Sequence, residues 1–228
     1  MAVPATTGLL RERVEDMKIG DYIVWKYDST VTGYIFGGST SGYTEIAVTG
    51  HPLASMPSKY FWYAIKVDKG LLIADRVVSH TVTWDWLNSS KFVEGSPRTI
   101  SGISGVIRCL SGGVAYADVN GNKILTSTNT EYGAWPPINE WDKYVVNFPI
   151  NIIFTGKSLN DVWNLRCMTW CKETTIPLSG TIPGGWTTGG RTVRSENTTN
   201  SKDRLWSTIS SYSNTAVGFR PVFEYKEV

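Results

Sequence analysis

Ser158-Leu-Asn-Asp-Val-Trp-Asn-Leu-Arg-Cys-Met-Thr-Trp-Cys171 is the stretch on which the fold class turns. Leu159, Val162, Trp163, Arg166, Cys167 and Trp170 recur at helical spacing, which predicts one helix over the whole stretch with these side chains on a single face. Ser158 and Asp161 stand at its start with capping-box spacing, Asp taking the usual place of Glu. A second helix is written in Asn139-Glu-Trp-Asp-Lys-Tyr-Val-Val-Asn-Phe148, where Trp141, Tyr144, Val145 and Phe148 fall at i, i+3, i+4 and i+7. Pro136 and Pro137 lie just before it and Pro149 just after, where proline is tolerated or ends a helix.

Around these two helices the text reads as strand. Tyr22, Ile23, Val24, Trp25 and Tyr27 are β-formers stopped by Asp28-Ser29-Thr30, and Phe36-Gly-Gly-Ser-Thr-Ser-Gly-Tyr43 is a loop. Tyr60–Val67 and Leu71–Val78 form a hairpin through Asp68-Lys69-Gly70. A further hairpin joins Val114–Val119 to Lys123–Thr126 through Asn120-Gly121. Thr83-Trp-Asp-Trp-Leu-Asn-Ser-Ser90 reads as a short helix capped by Thr83. Short strands broken by Gly and Pro run from Pro177 to the end, whereas residues 1–17 read as an arm before a single domain over 18–228. The fold class is α+β.

The 228 residues are 12% aromatic and only 18% charged, and 46 of them are Ser or Thr. Many rigid apolar anchors with no heptad or Gly-X-Y period exclude disorder, coiled coil and collagen. Twenty-two basic against twenty acidic residues leave no field to steer nucleic acid and no polybasic cluster for lipid. No run approaches the roughly 18–20 apolar residues of a membrane span. The opening MAVPATTGLLRERVED places charge after its apolar patch, the reverse of a secretory signal, so synthesis in the cytoplasm is expected.

Little in the sequence announces catalysis. Its two histidines, His51 and His80, are far apart and in no recognisable catalytic setting, and no nucleophile elbow, metalloprotease helix or phosphate loop is present. Cys109, Cys167 and Cys171 read as reduced, buried thiols, and with the histidines they supply no convincing metal set. Asp118-Val-Asn-Gly-Asn122 reads as a hairpin turn, its Gly misplaced for a calcium loop. Neither metal nor cofactor is expected.

The segment 186–216 stands apart. Sixteen of its 31 residues are Ser, Thr or Asn, interleaved with Trp186, Arg191, Arg194, Arg204, Trp206 and Tyr212. Trp, Tyr and Arg are the favoured anchors of binding surfaces, and Ser, Thr and Asn supply adaptable hydrogen bonds between them. Asn197, Asn200 and Asn214 complete the candidate ligand-binding set; the competing reading is a polar loop whose aromatics plug the core beneath it.

Several motifs, in order over residues 18–225, resemble a known family. Ala134-Trp-Pro-Pro-Ile-Asn-Glu-Trp-Asp-Lys-Tyr144, Gly184-Gly185-Trp186 and Val217-Gly-Phe-Arg-Pro-Val222 resemble the helix start and closing signature of the formylglycine-generating-enzyme type of C-type-lectin-like fold. Gly20-Asp-Tyr-Ile23, Trp62-Tyr-Ala-Ile-Lys-Val-Asp68, Gly70-Leu-Leu-Ile73 and Thr83-Trp-Asp-Trp86 look like an uncharacterised bacterial and prophage family with the same ending. The oxidases of this fold carry a cysteine pair in the late polar loop; here no Cys follows Cys171, and Pro221 stands where a Cys is common. The resemblance therefore implies the ligand-binding branch, which includes phage tail receptor-binding proteins and diversity-generating-retroelement variable proteins. It implies a multi-copy or homo-oligomeric virion protein contacting other virion proteins and a host-surface glycan or protein, with the alternatives of an oxidase relative or a passive decoration protein.

Overall fold

The structure is a computed structural model that describes residues 3–31, 33–52, 58–114, 136, 138–174, 190–195 and 205–227. Two β-sheets dominate it. In the larger, β2 (Tyr22–Asp28) pairs antiparallel with β5 (Tyr60–Asp68), β5 with β6 (Leu71–Ala74), β6 with β14 (Val222–Tyr225), β14 with β9 (Ile103–Arg108) and β9 with β8 (Ser96–Ile100). β1 (Leu10–Arg11) and β3 (Gly33–Phe36) flank β2, β4 (Thr44–Glu45) flanks β5, and the nine strands curl into a half-barrel. The smaller sheet runs β12 (Leu205–Thr208), β11 (Arg191–Arg194), β10 (Met168–Thr174), β13 (Val217–Phe219) and β7 (Ser79–His80).

Alternation along the central strands explains why they read as continuous apolar runs. Ile23, Trp25, Trp62, Ala64, Leu72 and Phe223 point to one core, shared with Trp170, Val193, Val217 and Phe219 of the smaller sheet. Their neighbours Ile65, Val67, Leu71, Ile73 and Val222 point the opposite way, into a second core with Trp141, Val145, Val162 and Trp163. Strands covered on both faces have no polar side to show, so period-2 patterning disappears from the text.

The α+β expectation of two main helices is overturned: among the described residues strands hold 39% and helix 14%, in short helices only. Over 158–171 only α2, Leu159–Trp163, is helical. The Asp161 carboxylate accepts the Ser158 N–H at 2.8 Å and hydroxyl at 2.7 Å, so the start follows the spacing. Asn164 then turns left-handed (φ 46°, ψ 65°) and the chain re-enters as β10, paired to β11 on one side and β13 on the other. Trp163 and Trp170, which a continuous helix would align on one face, lie in separate cores. Cys167 precedes β10 and Cys171 lies within it, so the two share no helical face.

The other helix is a single wide turn, a π-helix over Trp141–Val146, where the Asn147 N–H reaches back five residues to the Asp142 carbonyl at 2.9 Å. It keeps Trp141, Val145 and Phe148 buried, while Tyr144 is half-exposed. The Asp68-Lys69-Gly70 hairpin forms between β5 and β6. The Thr83-capped helix forms as α1 (Trp84–Ser89), where the Thr83 hydroxyl accepts the Trp86 N–H at 3.0 Å. The segment read as an arm is packed: Thr6 bridges Ile153, its hydroxyl donates to the Gly20 carbonyl at 2.7 Å, and β1 joins the large sheet. The expected hairpin through Asn120-Gly121 lies outside the described residues, and no helix among those described is long and apolar enough to cross a membrane.

Candidate functional site

β10, β11 and β12 carry the described part of the candidate site. Register fixes which side chains share a face: Arg191 opposes Thr208 and Val193 opposes Trp206, so these four look toward the principal core. Thr192 and Arg194 face the other way. Arg191 is half-buried, its guanidinium 4.3 Å from the ring centre of Trp84, whose indole N–H is fixed on the Cys171 carbonyl at 3.0 Å. Burial pulls the Arg191 pKa down and the Asp85 charge opposes it. Trp206 and Tyr212 meet edge to face at 6.1 Å, both half-buried against the core.

Arg194 and Asn214 do something else. Arg194 is 2% exposed; its guanidinium donates to the Asp142 carboxylate at 2.5 Å and to the Gly112 carbonyl at 2.9 Å. Asn214 is exposed, and its side-chain oxygen accepts the Ala216 N–H at 2.9 Å, closing the turn before β13. Trp186, Asn197, Asn200 and Arg204 lie outside the described residues, as does Asp118–Asn122. The structure thus gathers Arg191, Trp206 and Tyr212 beside one small sheet and gives Arg194 to the interior.

A cluster of buried charge lies where the chain passes between the two sheets. Arg220, fully buried between β13 and β14, donates to the carbonyls of Ala74 (2.9 Å) and Asn164 (3.4 Å) and to the Thr169 hydroxyl (3.3 Å). Its guanidinium therefore ties both sheets to the end of α2. Burial lowers its pKa to about 10, so it stays cationic at neutral pH. Beside it, Arg76 clasps Asp75 at 2.7 Å, Glu45 at 3.0 Å and the Ile46 carbonyl at 2.7 Å. Asp75 and Arg76 carry no signal in the sequence, since isolated charges at a strand end form no pattern. The only textual signal for Arg220 was the Gly-Phe-Arg run, which has a structural cause. A Cβ on Gly218 would sit 2.1 Å from the Ser79 carbonyl oxygen, Phe219 fills the core and Arg220 locks the crossover.

The potential nucleophiles and bases are quiet. Burial pushes the Cys167 thiol up to about 12 and raises those of Cys109 and Cys171 well above the ordinary thiol range. His51 and His80, distant in sequence, are neighbours: the His80 N–H donates to the His51 carbonyl at 2.8 Å. Burial and the nearby His51 lower the His80 pKa, while the His51 ring stands edge-on to Tyr60 at 5.0 Å. No group of three or more His, Cys, Asp or Glu that could hold a metal occurs among the described residues.

Fold and site together describe a two-sheet β-rich protein with charged ties in its interior and a polar, aromatic carboxyl-terminal hairpin. No family model, curated protein or solved structure matches the chain.

Proposed function

We propose that the chain is a phage or prophage virion component that binds a host-surface glycan or protein through its carboxyl-terminal polar and aromatic segment, without chemistry. One observation carries the reading. β11 and β12 form a stem of four register pairs, from Arg191↔Thr208 to Arg194↔Leu205, rooted on the buried strand β10. Between the last pair run residues 195–204, Ser-Glu-Asn-Thr-Thr-Asn-Ser-Lys-Asp-Arg, a composition suited to adaptable hydrogen bonding. A stiff scaffold that anchors such a segment is the arrangement binding loops use, with Trp206 opposite Val193 next to the last register pair and Arg191 at the far end of the stem. The buried thiols support the non-catalytic side of the reading.

Multiple copies on a particle would raise avidity by about 10²–10⁴ over a weak single site. The test is adhesion of labelled purified protein to host cells of the phage that encodes it, together with immunogold labelling of those particles. Wild type should label the particle tip and adhere to the cells, and Arg204→Ala and Trp206→Ala should reduce adhesion about tenfold or more with the circular dichroism unchanged. Labelling along the shell without adhesion would make it a decoration protein. Adhesion indifferent to both substitutions would move the site elsewhere.

A further inference from the structure

An open cleft of about 500 Å³ lies between the amino-terminal segment and α2, built from other residues than the β11–β12 stem. One wall is Val3-Pro4-Ala5, fixed through the backbone: the Ala5 N–H donates to the Asp161 carbonyl at 3.2 Å, and the Phe154 N–H to the Ala5 carbonyl at 3.0 Å. Phe154, 51% exposed as a residue, lines the cleft and belongs to none of the core clusters. Opposite the wall stand Asn160 and Asn164. The Asn160 side-chain oxygen is held by the Leu165 N–H at 2.9 Å, and its amide NH₂ has no partner among the described residues. Asn164 sits in the left-handed region with its NH₂ on the Asp75 carbonyl and carboxylate, both at 3.4 Å, which leaves its side-chain oxygen open.

Asn adopts that conformation readily at a helix end, where its N–H reaches the Asn160 carbonyl at 2.9 Å. Charge completes the set. Arg166 lines the cleft, is exposed, and makes no ion pair or hydrogen bond among the described residues. Lys157 is weakly matched to Asp161 at 3.6 Å with both groups solvated, and that carboxylate is already engaged by Ser158. The surplus is one cation.

We infer that this cleft binds a sugar bearing an acidic group: Phe154 covers the apolar face of the ring, the two asparagine amides bond its hydroxyls, and Arg166 takes its carboxylate. The volume lies within the roughly 300–1,000 Å³ of small-ligand pockets. Arg and carboxylate match as a two-pronged, charge-assisted pair, which gives Arg166 more discrimination than the solvated lysine. The inference does not rest on the receptor reading, because none of these residues belongs to the carboxyl-terminal segment.

Saturation-transfer NMR on the full chain tests it, with glucuronate, glucose and acetate as probes at millimolar concentration. Glucuronate should bind about tenfold more tightly than glucose or acetate, with transfer to its ring protons. Phe154→Ala and Arg166→Ala should each weaken it about fivefold or more, and because both side chains are exposed the thermal unfolding should not move. No transfer to glucuronate, binding unchanged in both variants, or acetate binding as tightly as glucuronate would each overturn the inference. Loss of glucuronate binding with cell adhesion intact would separate this cleft from the proposed receptor face.

Discussion

The Arg194 guanidinium on β11 lies 2.5 Å from the Asp142 carboxylate of the π-helix, joining the smaller sheet to the layer that covers the opposite face of the larger one. The aromatic ring of Trp141 lies 6.0 Å beneath it. The same strand thus ends in two arginines of different character, three residues apart. One is enclosed and one is laid on an indole at the rim.

That difference is measurable. Truncating a buried guanidinium leaves a carboxylate and a carbonyl without their donor, which costs about 3 kcal/mol. Arg194→Ala should therefore lower the melting temperature by roughly 6–12 °C for a domain of this size. Arg191→Ala loses a half-exposed cation–π contact of about 1 kcal/mol or less and should shift it by a few degrees at most. Calorimetry of the two variants checks the order; equal losses would show that the two side chains share one environment.

Thiol reactivity offers a second check. With Cys109, Cys167 and Cys171 all buried and their pKa values raised, the folded protein should resist alkylation near pH 8, and denaturant should expose all three. Mass spectrometry after timed iodoacetamide treatment reads this directly. A thiol that reacts rapidly in the native state would revive the enzymatic alternative.

Glu173 sets a pH dependence. Burial raises its pKa above the ordinary 4.5, although its carboxylate accepts the Gly112 N–H at 2.9 Å. The folded chain then keeps a proton at pH values where the unfolded chain has released it. Stability from this group is full below pH 4.5 and falls as pH rises through the higher folded value. Glu173→Gln, which retains an acceptor and cannot ionise, should flatten the slope of urea midpoints between about pH 4 and 7. Parallel curves for the two proteins would show that the carboxyl is solvated.

Strands and turns were largely legible. Tyr22–Asp28, the Asp68-Lys69-Gly70 hairpin and the Thr83 cap depend on local chemistry, where β-branched or aromatic residues, a glycine at φ 68° and a hydroxyl in reach of N–H groups suffice. Past Asn164 the stretch 158–171 is strand where its spacing predicts helix. Its apolar residues fit a helical face and a doubly buried strand equally well, and period alone does not separate the two. The candidate site was legible as a composition and not as a placement. Nothing in the spelling of Arg191 and Arg194 tells which one pairs with Asp142, 49 and 52 residues away in the chain.

What the sequence determined by itself was the inventory and its local punctuation: aromatic anchors for a large core, three thiols without a framework, near-balanced charge, and turns where Gly, Asp and Asn demand them. What only the tertiary structure decided was partnership. Arg220 became the tie between two sheets, His51 and His80 became neighbours, and Asn164 became the stop that turns a helix into a central strand. The reason is physical. Backbone preferences act over a few residues and are written locally, whereas burial of a charge or the choice between helix and strand is settled by which distant groups fill the space around it.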